Sequence, residues 1–459
     1  MANDADSTEV PALRPDALPA AEPGPHAGEP PATPESFARV TTLSERRRAF
    51  TILFLSMMCL GAGQSVMFAV LPSLARELGL TEFQASMPFV FSAAIWVFTS
   101  GYWGAKSDRL GRKPIIMLGL TAFGVSFASF AAMAQLGVAQ LLPMAAAYPL
   151  MIAARALYGA FGSGAAPSAQ AYVADRTTRA ERTQGVATIG AAFGLGTTVG
   201  PGIGSVLVVF GLFAPFYFTA FVAFLSAAAI FLLLPERTAP QAHKPLAVTL
   251  RWHDRRVLPF IIFGLGLGTA AAIPVQTVGY LFIDMLHLSP ADAPQYVGIG
   301  LMASSMAALF AQLVVVQRFN ISARALIRWG SIIALVSNLV FVIGHQFGPL
   351  VFALVISGLG FGMARPGYAA AASLSVSPEE QGAVAGLTSA TAGAGFIFGP
   401  IIGTTLYEWH PAAPYVFGAA LMAALYAYAV FSPALRVAGM QAPDTETLEE
   451  APETQVPNA

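Results

Sequence analysis

Twelve apolar stretches, each long enough to cross a ~30 Å hydrocarbon layer as an α-helix, run through this 459-residue chain with short polar turns between them. Their approximate spans are 50–74, 84–104, 114–135, 151–173, 186–209, 215–234, 258–283, 294–316, 326–344, 349–372, 383–406 and 413–434. Over 136–150 the boundary is least defined, because Leu141, Leu142 and Pro143 prolong the apolar run. With 56% hydrophobic residues, 11% charged residues and a mean hydropathy of +0.64, the chain has too little polar surface to cover a soluble core. Lipid is its solvent, and the expected class is an all-α membrane protein.

Residues 1–48 are rich in Ala, Pro and Glu and read as a disordered tail, as do residues 435–459 at the other end. No cleavable signal precedes the first apolar segment, which is expected to stay as an anchor. The single cysteine, Cys59, excludes an intrachain disulfide and a Cys-based metal site.

A duplication sets the architecture. G-x-x-x-G-P-x-x-G occurs at Gly196, Gly200, Pro201 and Gly204, and again at Gly395, Gly399, Pro400 and Gly403. The offset of 199 also pairs Gly159 with Gly358 and Pro167 with Pro366. In-phase glycines and prolines over about 45 residues describe two copies of one helical unit. The expected arrangement is twelve helices in two pseudo-symmetric six-helix bundles, 49–234 and 258–434, joined by a polar linker at 235–257. Such repeats in a membrane protein point to a transporter built from two halves.

Orientation follows from Lys and Arg. If the N-terminus lies in the cytoplasm, all 24 fall on that side except Arg76, on the far side, and Arg155 and Arg365, within spans. Both termini and the linker are then cytoplasmic.

After the second span comes Gly104-Ala105-Lys106-Ser107-Asp108-Arg109-Leu110-Gly111-Arg112-Lys113, which fits G-x-x-x-D-R-x-G-R-K. Gly104 and Gly111 allow a tight turn and close helix approach. Asp108 can pair with a neighbouring Arg or face a helix N-terminus, a contact made in one state and broken in another. The bland alternative is that Arg109, Arg112 and Lys113 merely hold the loop inside. In the fourth span, Arg155 and Gly159 fit R-x-x-x-G, with Tyr158 before the glycine.

These elements, in this order, resemble the major facilitator superfamily, and the resemblance covers roughly 48–434. The run Glu380-Gln381-Gly382 leading to Gly399-Pro400 is most similar to its twelve-span drug:proton antiporters, the tetracycline and multidrug exporters. Two departures stand out. Only Gln317-Arg318-Phe319-Asn320 and Arg324 remain where the loop signature would recur, and Leu60 to Gln64 offer no carboxylate in the first span. The resemblance implies that the first, fourth, seventh and tenth helices line a central cavity, where this chain places Gln64, Arg155, Tyr158, Gln276, Tyr280, Arg365 and Tyr368. It further implies a carrier working as a monomer. Gly196, Gly200, Pro201, Gly204 and their second-half partners are expected as packing and hinge elements.

Ionisable groups at membrane depth are costly and so are functional candidates. No Asp or Glu reaches the middle of a span, whereas Arg365 lies about eight residues, or roughly 12 Å, from the inner end of the tenth. A cavity of guanidinium and amide groups suits an anionic or zwitterionic solute. Arg365 either supplies the counter-charge, or snorkels and bonds carbonyls loosened by Pro366. Arg155 either fixes the fourth helix or takes part in proton coupling, and Asp284 is a gate or cap residue able to titrate. No metal or cofactor is expected, nor any nucleic-acid partner. The absence of a Walker A sequence argues against ATP hydrolysis in this chain. Six scattered histidines do not form an enzyme's cluster. The expected function is proton-coupled export of a small organic compound across a bacterial inner membrane. Uptake of an organic anion or metabolite is the alternative.

Overall fold

A computed structural model describes residues 43–177, 179–235, 253–319, 321–377 and 380–437, so most of the two expected tails and of the linker lies outside the described residues. Twelve helices are long and apolar enough to cross a membrane. They are α1 (Ser44–Glu77), α2 (Glu82–Leu110), α3 (Arg112–Val138), α4 (Met144–Ala174), α5 (Gln184–Phe210) and α6 (Ala214–Leu233) in the first half. The second half contains α7 (Leu258–Leu286), α8 (Ala293–Val316), α9 (Ala323–Ile343), α10 (Phe347–Ser373), α11 (Ala383–Trp409) and α12 (Ala413–Phe431). No strand occurs among the described residues.

Local chemistry sets the helix ends. Thr81 and Gln84 form a reciprocal capping box that starts α2, and the Ser322 hydroxyl accepts from the Ala325 amide to start α9. Proline lies in the first turn of α6, α7, α8 and α12, where no intrahelical donor is lost. Gly111, at φ 94°, turns α2 into α3 in a conformation that favours glycine. In the ill-defined stretch after 135, Gln140 takes φ 56° and Pro143 precedes the α4 start, so the apolar leucines there form a turn. Helix α1 begins six residues before the expected span, which places Arg46, Arg47 and Arg48 of the expected tail in a helix. Ion pairing supports that extension, since Arg46 Nη1 sits 3.1 Å from Glu181 Oε2.

The halves repeat one pattern of neighbours. In the first, α1 packs on α5 and α6, α3 on α4 and α6, and α2 on α4. In the second, α7 packs on α11 and α12, α9 on α10 and α12, and α8 on α10. Across the seam α2 meets α11, α5 meets α8, and α1 meets α7. Large apolar side chains such as Phe98, Phe210, Phe221, Phe231, Leu232 and Phe431 remain on the surface, which suits lipid and not water.

The repeated glycines explain how backbones come this close. A methyl group on Gly196 would collide with the Met58 carbonyl, and one on Gly200 with Ala62 O and Ser65 Oγ, all on α1. On α11, Gly395 faces the Gly268 backbone, while Gly399 faces Thr269 O and Ala272, all on α7. Gly159 and Gly358 are likewise seated against the carbonyls of Ser92 on α2 and Ser304 on α8. Apolar side chains are no drier against each other than against lipid tails, so close backbone packing of this kind holds membrane helices together.

Candidate functional site

The seam between the halves has two unlike ends. One is the end where α1 finishes and α2 begins, together with the last turns of α7 and α11; the other carries the Gly104–Lys113 loop. We call them the gate end and the loop end.

At the gate end charged and polar groups cross the seam. Arg76 Nη2 donates to both carboxylate oxygens of Asp284 at 3.1 Å and lies 2.7 Å from Glu82 Oε1. Tyr407 donates its hydroxyl to Asp284 Oδ2 at 2.8 Å, and Glu408 accepts from the Phe83 amide at 3.0 Å. The Arg76 guanidinium also lies over the Tyr280 ring, 5.5 Å from its centre. With about a third of Arg76 and Asp284 exposed, each ion pair contributes about 1 kcal/mol or less, and a network does better than its members. Below them, Gly279 packs on Pro72 and Gly298 on Pro201 O and Ser205. Ser205 donates to Pro201 O at 2.7 Å and to Pro294 O across the seam at 2.9 Å. Its partner at the offset of 199, Thr404, donates to Pro400 O at 2.8 Å and lies 3.4 Å from the Ser86 hydroxyl on α2.

Toward the loop end the same helices separate. Among the described residues, Gly101 and Gly104 on α2, Gly190 and Gly194 on α5, and Gly386 on α11 have nothing within 4 Å of where a side chain would begin. Gly104 therefore makes no close helix approach, contrary to the expectation from the loop motif. The seam is closed at the gate end and opens toward the loop. Aromatic rings span it between these ends: Phe68 of α1 stacks on Phe89 of α2 at 5.5 Å and on Phe396 of α11 at 6.4 Å.

The seven expected cavity residues do not form one ring. Three meet in the first half. Arg155, 1% exposed, donates to Gln64 Oε1 on α1 at 3.2 Å and to Ser126 Oγ on α3 at 3.5 Å. The rings of Phe89, Phe127 and Tyr158 enclose its guanidinium at 5.1–5.5 Å, and its Nε has no partner. Cation–π contacts of this kind replace part of the lost hydration. Tyr158 is itself buried against Phe123. In the second half, Tyr368 bonds Thr391 of α11 at 3.0 Å and packs on Phe263 of α7. Gln276 and Tyr280 are buried on α7, and Tyr280 lies beneath the gate and not on an open wall.

Arg365 stands apart, for its side chain is exposed and no hydrogen bond or ion pair holds it among the described residues. Its direction follows from α10's other contacts. Gly358 and Gly362 face α8, while Tyr368 faces α7 and α11. At about 100° per residue, Arg365 falls between those two faces. Because α7, α8 and α11 all meet the other half, this side of α10 looks into the space between the halves. Every described Asp and Glu, by contrast, lies within three residues of a helix end or between helices.

At the loop, Arg112 pairs with Asp108 one turn back, lies 3.2 Å from Asp175 after α4, and donates to Ser107 Oγ at 2.7 Å. Lys113 sits over Phe231, and Arg109 is exposed. Asp108 thus takes the first of its two expected options, a partner within its own half. On the same end of the second half, Arg256 joins Asp254 at 2.8 Å to Glu380 at 2.9 Å. The Arg256 side-chain hydrogen bond lowers both carboxyls below their ordinary range.

The gate was only partly legible. Asp284 was a candidate, but Arg76, Glu82, Tyr407, Glu408 and Phe83 come together only in three dimensions. Two signals in the chain could have found it: Arg76 as the one basic residue off the positive side, and the hydroxyls of Ser205 and Thr404, in register with the repeat.

Comparison with known proteins agrees with this architecture. The family model described as Major Facilitator Superfamily matches residues 53–342 and 315–455. Multidrug resistance protein 2 of Bacillus subtilis (strain 168) is 26% identical over 400 residues, covering 83% of this chain and 94% of its own. Quinolone resistance protein NorA of Staphylococcus aureus (strain MSSA476) is 23% identical over 372 residues, covering 79% and 91%. In fold, the crystal structure of the human organic anion transporter MFSD10 (TETRAN) superposes with a TM-score of 0.60 at 19% identity, over 83% of this chain and 99% of that one.

Proposed function

The chain belongs to the Major Facilitator Superfamily and is a membrane transporter, not an enzyme; from that premise we propose that it exports a small organic anion or zwitterion by proton antiport. The two halves rock about the central space and expose it to each side in turn. The loop end is cytoplasmic by its excess of Lys and Arg, so the described conformation faces inward, ready to take solute from the cell. Both termini are cytoplasmic, the membrane is a bacterial inner membrane, and the carrier works as a monomer.

One observation carries the choice of solute: Arg365 offers an unpaired guanidinium to that space, and no described carboxylate reaches the same depth. A carboxylate on the solute would find two parallel donors there, and the Phe68, Phe89 and Phe396 rings an aromatic body. Export is supported by relatives named for multidrug and quinolone resistance and by the duplicated G-x-x-x-G-P-x-x-G. A mid-depth arginine serves an importer of organic anions equally well, which is the second reading.

Proteoliposomes loaded with norfloxacin, a zwitterionic quinolone, separate the two. Export by antiport predicts that an inward proton gradient across the loop-inside population speeds norfloxacin efflux at least tenfold over no gradient. Efflux indifferent to the gradient removes the proton-coupled reading, and gradient-driven accumulation inside instead of efflux turns the carrier into an importer.

A further inference from the structure

At the loop end, basic and acidic groups do not balance. Each described carboxylate there already has a partner: Asp108 and Asp175 take Arg112, Glu181 takes Arg46, Asp254 and Glu380 share Arg256, and Glu45 is likewise engaged. Arg47, Arg48, Arg109, Arg255 and Arg318 are left over, with exposed side chains that make no hydrogen bond or ion pair among the described residues. They come from both halves. Arg47 and Arg48 lie at the start of α1 and Arg109 at the end of α2, whereas Arg255 precedes α7 and Arg318 follows α8. Since α1, α2, α7 and α8 all meet the opposite half, these guanidiniums stand around the mouth that is open at this end.

The segment 438–459 carries the complementary charge. It holds Asp444, Glu446, Glu449, Glu450 and Glu453 and no Lys, Arg or His. Met440, Leu448 and Val456 are its only large apolar residues, so charge and not burial decides where it binds. Its point of departure is fixed. A short helix α13 (Pro433–Val437) packs on α7, and Leu435, 1% exposed, shares a core with Val257 and Phe260. The chain therefore leaves the membrane body beside the start of α7, where Arg255 lies. From Val437 an extended chain reaches about 23 Å by Asp444 and about 53 Å by Glu453. Helices are about 10–12 Å across, so that reach covers the ends of α1 and α2 from α7.

We propose that residues 438–459 dock on the loop end, with their carboxylates on Arg255 and Arg318 in the second half and on Arg109, Arg47 and Arg48 in the first. The segment then lies across the mouth of the seam. Arginines on opposite rims repel as the mouth narrows, and carboxylates laid between them replace that repulsion by paired, charge-assisted contacts to both sides. Anionic lipid headgroups offer similar chemistry. They ring the outside of the protein, however, whereas these arginines belong to helices at the seam. The docking requires no solute and no particular direction of transport.

The test uses the full chain. Dyes are placed at Ala105→Cys, exposed near Arg109, and at Thr447→Cys within the segment, in a Cys59→Ala background. In phosphatidylcholine nanodiscs at low salt, energy transfer should be about twofold or more above that of a chain carrying Asp444→Asn, Glu446→Gln, Glu449→Gln, Glu450→Gln and Glu453→Gln. An unchanged unfolding temperature checks that this variant keeps its fold. Arg47→Gln, Arg48→Gln and Arg109→Gln together should lower transfer to the same level, as should salt at about 1 M, where the Debye length is about 3 Å. Phosphatidylglycerol mixed into the discs should leave the transfer of the unchanged segment in place. Equal transfer with and without the segment's carboxylates overturns the proposal; so does transfer that disappears when phosphatidylglycerol is added, which would assign the arginines to the membrane surface.

Discussion

Arg155 and Arg365 lie within membrane-crossing helices, one in each half, and their surroundings are opposite. Arg155 is 1% exposed, bonded to neighbouring helices and enclosed by three rings; Arg365 is exposed toward the seam and bonded to nothing described. The repeat sharpens the contrast, because the position equivalent to Arg155 in the second half is Leu354, 2% exposed. A site that one half fills with leucine is a packing site, and the first half fills it with an arginine made acceptable by Gln64, Ser126 and aromatic faces. The equivalent of Arg365 is Ala166, too small to reach across anything. Duplication kept the backbone contacts, and the polar side chains diverged. What the halves share builds the fold, and what they do not share sets the chemistry of each half's interior.

The largest expected effect tests the shared part. Gly200→Val and Gly399→Val each drive a branched side chain into the backbone of the partner helix, α1 or α7, and each should cost about 3 kcal/mol or prevent folding. Thermal unfolding in detergent measures both, and a variant tolerated in one half alone would break the equivalence. Next, Arg155→Ala leaves a cavity and two unpaired polar groups and should cost about 2–3 kcal/mol, whereas Arg155→Leu, which copies the second half, should cost about 1. Equal losses, read by the same unfolding assay, would mean that the charge and not the volume is needed there.

Smaller effects separate the seam from the halves. Ser205→Ala and Thr404→Val each remove one hydroxyl contact across the seam, worth about 1 kcal/mol, and should reduce the gate-closed population about fivefold by dye distances. The smallest effect belongs to Arg256→Ala at the exposed loop end. Because Arg256 holds Asp254 and Glu380 below the ordinary carboxyl range, its contribution is present at neutral pH and is lost as pH falls through those lowered values. Unfolding midpoints of variant and unchanged chain should therefore differ slightly near pH 7 and converge in stronger acid.

Much of this was legible in the sequence. Apolar length gave the twelve helices, and the glycine–proline repeat gave two halves with matching neighbours, because both signals are local or periodic. Gly111 was legible as a turn glycine for the same reason. Gly104 was not, since whether a glycine meets a neighbour depends on which end of the seam is open. Tyr280 could be placed on α7 but not beneath the gate, and the gate itself joins residues up to 325 positions apart, as Phe83 and Glu408 show. Arg155 and Arg365 look alike in sequence; only their neighbours distinguish a residue that supports the fold from one that faces the seam.

Transport by Arg365→Ala is the most direct test of that distinction. With norfloxacin in proteoliposomes, at equal protein per vesicle and an unchanged unfolding temperature, efflux should fall about a hundredfold, matching loss of a charge-assisted bidentate contact. Efflux at the unchanged rate would show that the open arginine does not hold the solute.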